Sequence, residues 1–156
     1  MDVLTRAQRR LNMSRIRGKD TKPEMLLRRG LHSRGFRFRL HVKGLPGRPD
    51  IVLPKYGVVV LVHGCFWHGH GCTLSKIPET RREFWLTKIR NTGVRDEEAA
   101  RSLAADGWRV LTVWECALRG RNRRDAEGLL TQCESFIKYS NRRTIEIGAR
   151  LHAQRK

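Results

Sequence analysis

The most informative segment of the chain is residues 49–72, which read PDIVLPKYGVVVLVHGCFWHGHGC. Two apolar runs, residues 50–53 and 58–62, are separated by Pro-Lys-Tyr-Gly, a sequence typical of a turn. We therefore predict two buried strands joined as a hairpin. In a tight hairpin of this spacing, facing residues have numbers that sum to about 111. Asp50 then faces Leu61 and lies at the same end of the hairpin as His63.

Periodic patterns on either side of this hairpin predict an α/β domain. Thr21 and Glu24 fit a capping box, so a helix is expected to start at Thr21 and to stop at Gly35. The alternation of residues 36–40 predicts a strand before the hairpin. After the hairpin, the patterns predict a strand over residues 108–114 and helices over residues 80–91, 94–105 and 125–139. The order α-β-β-β-α-α-β-α favours a mixed sheet flanked by helices.

The length of 156 residues favours a single domain, which we place at residues 21–139. Residues 1–20 are rich in Arg and Lys and are interpreted as a DNA-contacting arm, with a solvated tail as the alternative. Residues 140–156 are interpreted as a polar C-terminal tail.

The charge of the chain predicts a polyanionic partner. Lys and Arg number 33 against 15 Asp and Glu, which gives a net charge of +18. Nucleic acid is the default partner for so basic a chain, and an anionic membrane is the rival. An apolar run of about 18 residues, which a membrane-spanning helix needs, is absent, and so is a signal-peptide pattern. We expect a soluble bacterial protein that acts in the cytoplasm on the nucleoid, with no membrane partner.

Three of the four cysteines are candidate zinc ligands. Cys65 and Cys72 lie in one loop, and Cys116 ends a distant predicted strand. Three thiolates and one imidazole suit tetrahedral Zn²⁺, and four filled positions indicate a structural site. The spacing favours His70 as the imidazole but leaves His63 and His68 open. Cys133 lies inside the last predicted helix and is interpreted as a core residue.

A second set of residues fits a nuclease reaction centre. Asp50 begins a strand after a proline, a common way to present a carboxylate to Mg²⁺. His63 and His68 follow the next strand, and an imidazole can take a proton from water near neutral pH. Nucleases with a restriction-endonuclease core usually carry Glu-x-Lys on that strand, which here reads VVVLV. Either the site is inactive or the histidines replace the missing groups, and their position favours replacement.

Aromatic residues beside this centre are candidates for DNA contact. Phe66 and Trp67 lie outside any periodic core pattern. In a basic protein, such side chains can wedge between base pairs, although they can also fill a small zinc subdomain. Trp85 lies on a predicted helix, where aromatic residues usually face a core.

Four motifs together resemble the very short patch repair (Vsr) endonucleases. They are LPGRPD at residues 45–50, HGCFWH at residues 63–68 with Cys72, RREFWL at residues 81–86, and GWRVLTVWECALRG at residues 107–120. The resemblance extends in order and spacing from about residue 8 to residue 139. It implies a restriction-endonuclease-like core that acts as a monomer on double-stranded DNA, together with other mismatch-repair proteins. The implied reaction is Mg²⁺-dependent nicking of one strand, 5′ of the mismatched T in T·G pairs that arise from 5-methylcytosine deamination.

The resemblance also implies residue roles. Asp50 and the main-chain carbonyl of Val62 would bind Mg²⁺, although many family members have Thr at position 62. His68 would activate the attacking water, with His63 as a second catalytic imidazole and Glu24 as a supporting acid. The implied zinc ligands are Cys65, His70, Cys72 and Cys116. The residues implied to contact DNA are Phe66, Trp67, Trp85 and, in the N-terminal arm, Met13.

Two other functions remain as alternatives. A non-catalytic, zinc-stabilised DNA-binding module would explain the charge, the cysteines and the aromatic residues. It would not explain why Asp50, His63 and His68 converge at one end of a hairpin. A restriction-type nuclease of another specificity would keep the reaction and change the substrate.

Overall fold

The computed structural model describes residues 5–7, 20–72 and 74–149. Its strands form one five-stranded sheet in the order β1-β2-β3-β4-β5, and they are Arg39–Leu40 (β1), Ile51–Leu53 (β2), Val58–His63 (β3), Arg109–Trp114 (β4) and Thr144–Ile147 (β5). Its helices are Lys22–Ser33 (α1), Arg82–Ala105 (α2), Glu115–Leu118 (α3) and Ala126–Tyr139 (α4). Strands β1, β2 and β3 pair antiparallel, whereas β4 and β5 run parallel to β3. The predicted mixed α/β sheet is thus confirmed.

The central hairpin has the predicted register. Ile51 pairs with Val60 and Leu53 with Val58, so facing residues sum to 111. A 3₁₀ turn over Pro54–Tyr56 joins the strands, and Gly57 ends it with a φ of 65°, a left-handed conformation that suits glycine. All three residues of β2 are buried, and burial of both faces explains the continuous apolar run.

Helix α1 begins as the capping pattern predicts. The hydroxyl of Thr21 accepts a hydrogen bond from the Glu24 N–H at 3.3 Å, and the helix buries Leu27 and Leu31. These leucines and the apolar side of α4 cover one face of the sheet. On the other face, Leu103 of α2 packs against Val59 and neighbouring residues. The sheet therefore lies between two helical layers. The carboxyl end of β3, which is the middle strand, lies at one end of the sheet.

Three sequence predictions need correction. The strand predicted over residues 36–40 is only Arg39–Leu40. Phe36 instead packs at the end of α1, because its N–H donates a hydrogen bond to the Leu31 carbonyl. The helices predicted over residues 80–91 and 94–105 are one continuous helix, α2, which passes through Gly93. The stretch interpreted as a polar tail contains β5, which pairs with β4 and buries Ile147.

Candidate active site and metal centre

Asp50 lies immediately before β2 and points at the end of β3. Its Oδ2 accepts a hydrogen bond from the Val62 N–H at 2.7 Å. Burial raises the pKa of Asp50 to about 7; the Val62 N–H opposes this rise, and the nearby Glu24 carboxylate adds to it. The hairpin therefore places a partly buried carboxylate one residue from His63, as the spacing predicts.

Glu24 reaches the same place from helix α1. Its side chain is almost completely buried, with 1% of the residue exposed. Oε1 accepts a hydrogen bond from the Asp20 N–H at 3.2 Å, one residue before the Thr21 N–H that a standard capping box would use. Glu24 therefore caps α1 and also lies close enough to Asp50 to raise the pKa of that carboxyl group.

The two candidate catalytic histidines lie against each other. The rings of His63 and His68 stack with centroids 3.9 Å apart and planes within 4°. Burial, and then the proximity of His68, lowers the pKa of His63 to about 4, so this imidazole is neutral at neutral pH. Nδ1 of His68 lies 2.5 Å from Oδ2 of Asp96 on helix α2. The sequence patterns did not predict a role for Asp96, which comes 28 residues after its partner.

The four predicted zinc ligands lie close together. Three of them come from the loop that follows β3, and Cys116 comes from α3. One donor atom from each of Cys65, His70, Cys72 and Cys116 lies within 4.8 Å of all the others. Nδ1 of His70 is 3.6 Å from the sulfur of Cys65 and 3.4 Å from that of Cys116. The structure thus favours His70 over the alternatives that the spacing left open, while Cys133 lies in the main core.

The surroundings of these sulfur atoms fit a metal-bound thiolate cluster. The sulfur of Cys65 accepts the Cys116 N–H at 3.3 Å, and the sulfur of Cys116 accepts the Ala149 N–H at 3.1 Å. Main-chain N–H donors of this kind stabilise anionic sulfur. Burial raises the pKa of the Cys65 and Cys116 thiols, so these buried groups need a cation to ionise. Burial alone would also raise the pKa of Cys72, but hydrogen bonds from Ser75 and His70 outweigh it and bring the pKa to about 6.

Trp114 links the two centres, a role that sequence analysis did not predict. Its ring stacks on His70 at 4.1 Å and contacts His63 edge-on at 5.2 Å. It is the last residue of β4, opposite His63 in the parallel register, and it is buried. One aromatic ring therefore separates the metal cluster from the candidate reaction centre and fixes their relative positions.

The predicted DNA-contacting aromatics form a single cluster. The ring centroids of Phe66, Trp67 and Trp85 lie 5.1–5.9 Å from one another. Phe84 extends the cluster at 5.1 Å from Trp85 and is 44% exposed. The ammonium group of Lys88 lies 5.5 Å from the Trp67 ring and 5.9 Å from the Trp85 ring. An aromatic surface with a cation over it suits stacked bases and phosphates. Met13 and most of the predicted N-terminal arm lie outside the described residues.

Comparison with known proteins identifies the family. A family model described as DNA mismatch endonuclease Vsr matches residues 1–74. The DNA mismatch endonuclease Vsr of Escherichia coli K12 is 47% identical over 136 residues, which cover 87% of each chain. The chain belongs to the Vsr family of DNA mismatch endonucleases. The type II nicking enzyme V.XorIIP of Xanthomonas oryzae pv. oryzae is 50% identical over 117 residues, 75% of this chain and 86% of the relative. The nicking enzyme V.NmeAIP of Neisseria meningitidis is 44% identical over 120 residues, 77% of this chain and 86% of the relative.

Membership of the Vsr family establishes the reaction class and the partner. The chain is a DNA endonuclease, and its partner is DNA, as the net charge of +18 predicts. The interpretation as a non-catalytic binding module is therefore disfavoured. No helix in the part of the chain that the structure describes has the length and apolar character of a membrane span.

Proposed function

We propose that this Vsr-family endonuclease nicks one DNA strand on the 5′ side of the mismatched T in a T·G pair. Such pairs arise when 5-methylcytosine is deaminated, so the enzyme would start very short patch repair. The observation that carries the proposal is the convergence of one partly buried carboxylate, Asp50, and two stacked imidazoles at the end of β3. The aromatic cluster beside this centre supplies a surface for a distorted base step.

The proposed catalytic ion is Mg²⁺, held by Asp50 and the main-chain carbonyl of Val62. Two neighbouring carboxyl groups, Asp50 and Glu24, fit a divalent cation, because the Glu24 carboxylate adds to the raised pKa of Asp50 and a cation would offset this effect. A bound Mg²⁺ would polarise the scissile phosphate and stabilise charge on the leaving oxygen. The Val62 N–H holds the Asp50 carboxylate in place, and the Asp20 N–H at the start of α1 holds that of Glu24.

His68 is the proposed group that takes a proton from the attacking water. Its contact with Asp96 engages Nδ1, which leaves Nε2 to exchange a proton. The Asp96 carboxylate stabilises the imidazolium that forms when His68 accepts that proton. His63 is neutral and stacked on His68, so it adds a second imidazole near the phosphate without adding a positive charge.

The proposed zinc ion has a structural role. Three sulfurs and one imidazole fill a tetrahedral shell, which leaves no position for a reacting water. Cys65 and Cys72 lie on the loop, and Cys116 is the second residue of α3. Zinc would therefore tie the loop that carries Phe66, Trp67 and His68 to the sheet. The restriction-endonuclease-like core is also part of this proposal and is supported by family membership.

We further propose that the enzyme acts as a monomer in the bacterial cytoplasm, on the nucleoid and alongside other mismatch-repair proteins. Family membership supports this proposal. Analytical ultracentrifugation would test the monomer, with a single species near the chain mass of 18.1 kDa as the expected result.

The test of the proposed function is strand-specific cleavage of end-labelled duplexes. Duplexes with T·G or C·G at one position would be incubated with Mg²⁺ or with EDTA, in several flanking sequences. We expect a single nick 5′ of the mismatched T, only with Mg²⁺, and none by Asp50→Asn. The exposed Asp106 provides a matched control, so Asp106→Asn should cut normally. Cutting of both duplexes would instead indicate a restriction-type nuclease, and Mg²⁺-independent cutting would contradict the proposed ion.

A further inference from the structure

Glu24 is held by two polar side chains that lie outside the four family motifs. Arg28, one helical turn later on α1, donates from Nη1 to Glu24 Oε2 at 3.0 Å. Nε2 of His41 lies 3.1 Å from the same oxygen. Because the Asp20 N–H already engages Oε1, both oxygens of the buried carboxylate have fixed partners.

His41 also contacts the other candidate carboxylate residue. Its main-chain N–H donates to the Asp50 carbonyl at 3.2 Å, directly after the last residue pair of β1 and β2. One residue therefore connects the side chain of Glu24 to the main chain of Asp50. A shift of His41 would change the relative positions of the two carboxyl groups.

The backbone at this place adopts an unfavourable conformation. His41 has a φ of 48° and Asp20 a φ of 56°, both in the left-handed region. Such conformations persist where surrounding contacts enforce them, and they concentrate at functional sites. Here the contacts close into a ring, because Arg28 and His41 also contact Asp20 Oδ1 at 2.6 Å and 3.4 Å.

Helix capping alone does not account for this arrangement. The hydrogen bonds at the start of α1 use only Oε1 of Glu24 and the Thr21 hydroxyl. Arg28 and His41 both approach Oε2, which contributes nothing to the cap. Their common effect is to fix the rotation of the Glu24 carboxylate, which His41 connects to the main chain of Asp50.

We propose that Arg28 and His41 are positioning residues that hold the Glu24 carboxylate against Asp50 for the nicking reaction. This inference rests on the proposed function, in which Glu24 and Asp50 serve one reaction centre. Misplacement of a supporting group lowers the rate of the chemical step more than it lowers substrate binding. Arg28 and His41 should therefore affect turnover and leave affinity for DNA nearly unchanged.

The first test compares His41→Gly and Arg28→Ala with the wild-type chain on a T·G duplex. Glycine removes the imidazole and tolerates the positive φ, so His41→Gly should not lower the melting temperature. We expect single-turnover nicking to slow by about 10-fold or more, as for other supporting groups, with the DNA dissociation constant within about twofold. His41→Gln, which keeps a donor near the position of Nε2, should recover much of the rate. Arg29→Ala and His32→Ala, both exposed on α1, are the controls and should match wild type.

The second test is a double-mutant cycle with Glu24→Gln. If His41 acts through Glu24, the double variant Glu24→Gln/His41→Gly should nick no more slowly than Glu24→Gln alone. Losses that multiply, or a His41→Gly enzyme as fast as wild type, would overturn the positioning role while leaving the proposed function intact. A wild-type chain that fails to nick the T·G duplex would overturn the proposed function itself, and this inference with it.

Discussion

The contact between His68 and Asp96 leads to a prediction about a single charge. Asp96→Asn keeps the size of the side chain and removes the negative charge that would stabilise a protonated His68. General-base catalysis by an oriented imidazole contributes about 10²–10⁴-fold, so we expect nicking to slow by about 100-fold. Single-turnover kinetics with saturating enzyme would measure this rate, and fluorescence anisotropy would show DNA affinity close to wild type.

Glu97 provides the control for that experiment. It is the next residue on α2, it is exposed, and its ion-pair partner Arg101 is exposed as well. Glu97→Gln therefore removes the same charge without touching His68 and should nick at the wild-type rate. A normal rate for Asp96→Asn would show that the contact plays no part in proton transfer.

Residue patterns predicted those site members that lie near one another in the sequence. The hairpin register placed Asp50 beside His63, and loop spacing brought Cys65 and Cys72 together, because turn geometry and short loops restrict such pairs. Asp96 could have been found as well. It follows Trp85 by 11 residues, which is about three helical turns, so both lie on one face of α2. Because two separate helices were predicted, with a break near Gly93, the shared face of Trp85 and Asp96 was not recognised.

The loop between β3 and α2 depends on zinc according to the proposed function, and this predicts a loss of stability. Cys72→Ala should lose the metal and unfold at a lower temperature, since structural zinc contributes on the order of 10 kcal/mol. Because 1 kcal/mol shifts the melting temperature of a chain of this size by about 2–4 °C, the expected decrease exceeds about 10 °C. Metal analysis by mass spectrometry and thermal unfolding by circular dichroism would measure both effects.

Cys133→Ala is the matched control because Cys133 is buried in the main core, away from the cluster. It should keep one zinc per chain and lose only about 1 kcal/mol of stability. A Cys72→Ala protein that folds normally without zinc would contradict the structural role of the metal.

Strand β5 was not predicted because its alternating pattern spans only four residues within a polar stretch. Residues Thr144–Ile147 read TIEI, and only Ile147 is fully buried. The strand forms because β4 offers an unpaired edge, which is a tertiary cause that a local pattern does not contain. After β5, the Ala149 N–H bonds to the sulfur of Cys116, so the strand also supports the metal cluster.

We therefore predict that Ile147→Ala destabilises the whole domain. Burial of Ile147 on the side of the sheet that faces α1 and α4 gives an expected loss of about 2–3 kcal/mol in the free energy of unfolding. Chemical denaturation would measure the loss, with Glu146→Ala as the exposed control from the same strand. Equal stability of the two variants would show that β5 contributes little to the folded state.

At the scale of the whole molecule, the net charge of +18 determines how the enzyme meets its substrate. Part of this charge is neutralised internally, as where Arg34 forms ion pairs with Glu127 and Glu134. Lys88, beside the aromatic cluster, forms no ion pair with an acidic side chain in the part of the chain that the structure describes. Its ammonium group is therefore suited to contact a DNA phosphate. A chain of this charge should bind any duplex through the backbone and select the mismatch through the aromatic surface.

Because backbone contacts would bind any duplex and the aromatic surface would select the mismatch, the salt dependence of DNA binding can be predicted. Binding that neutralises about six phosphates should weaken about 1000-fold when the salt concentration rises from about 50 mM to about 200 mM, because counterions are released. Dissociation constants for T·G and C·G duplexes, measured by anisotropy over a KCl series, should give parallel lines on logarithmic axes. The common slope reports the phosphate contacts, and the vertical offset reports recognition of the mismatch. A nearly flat response would contradict an extended basic footprint, and slopes that differ would show that the mismatch changes the number of phosphate contacts.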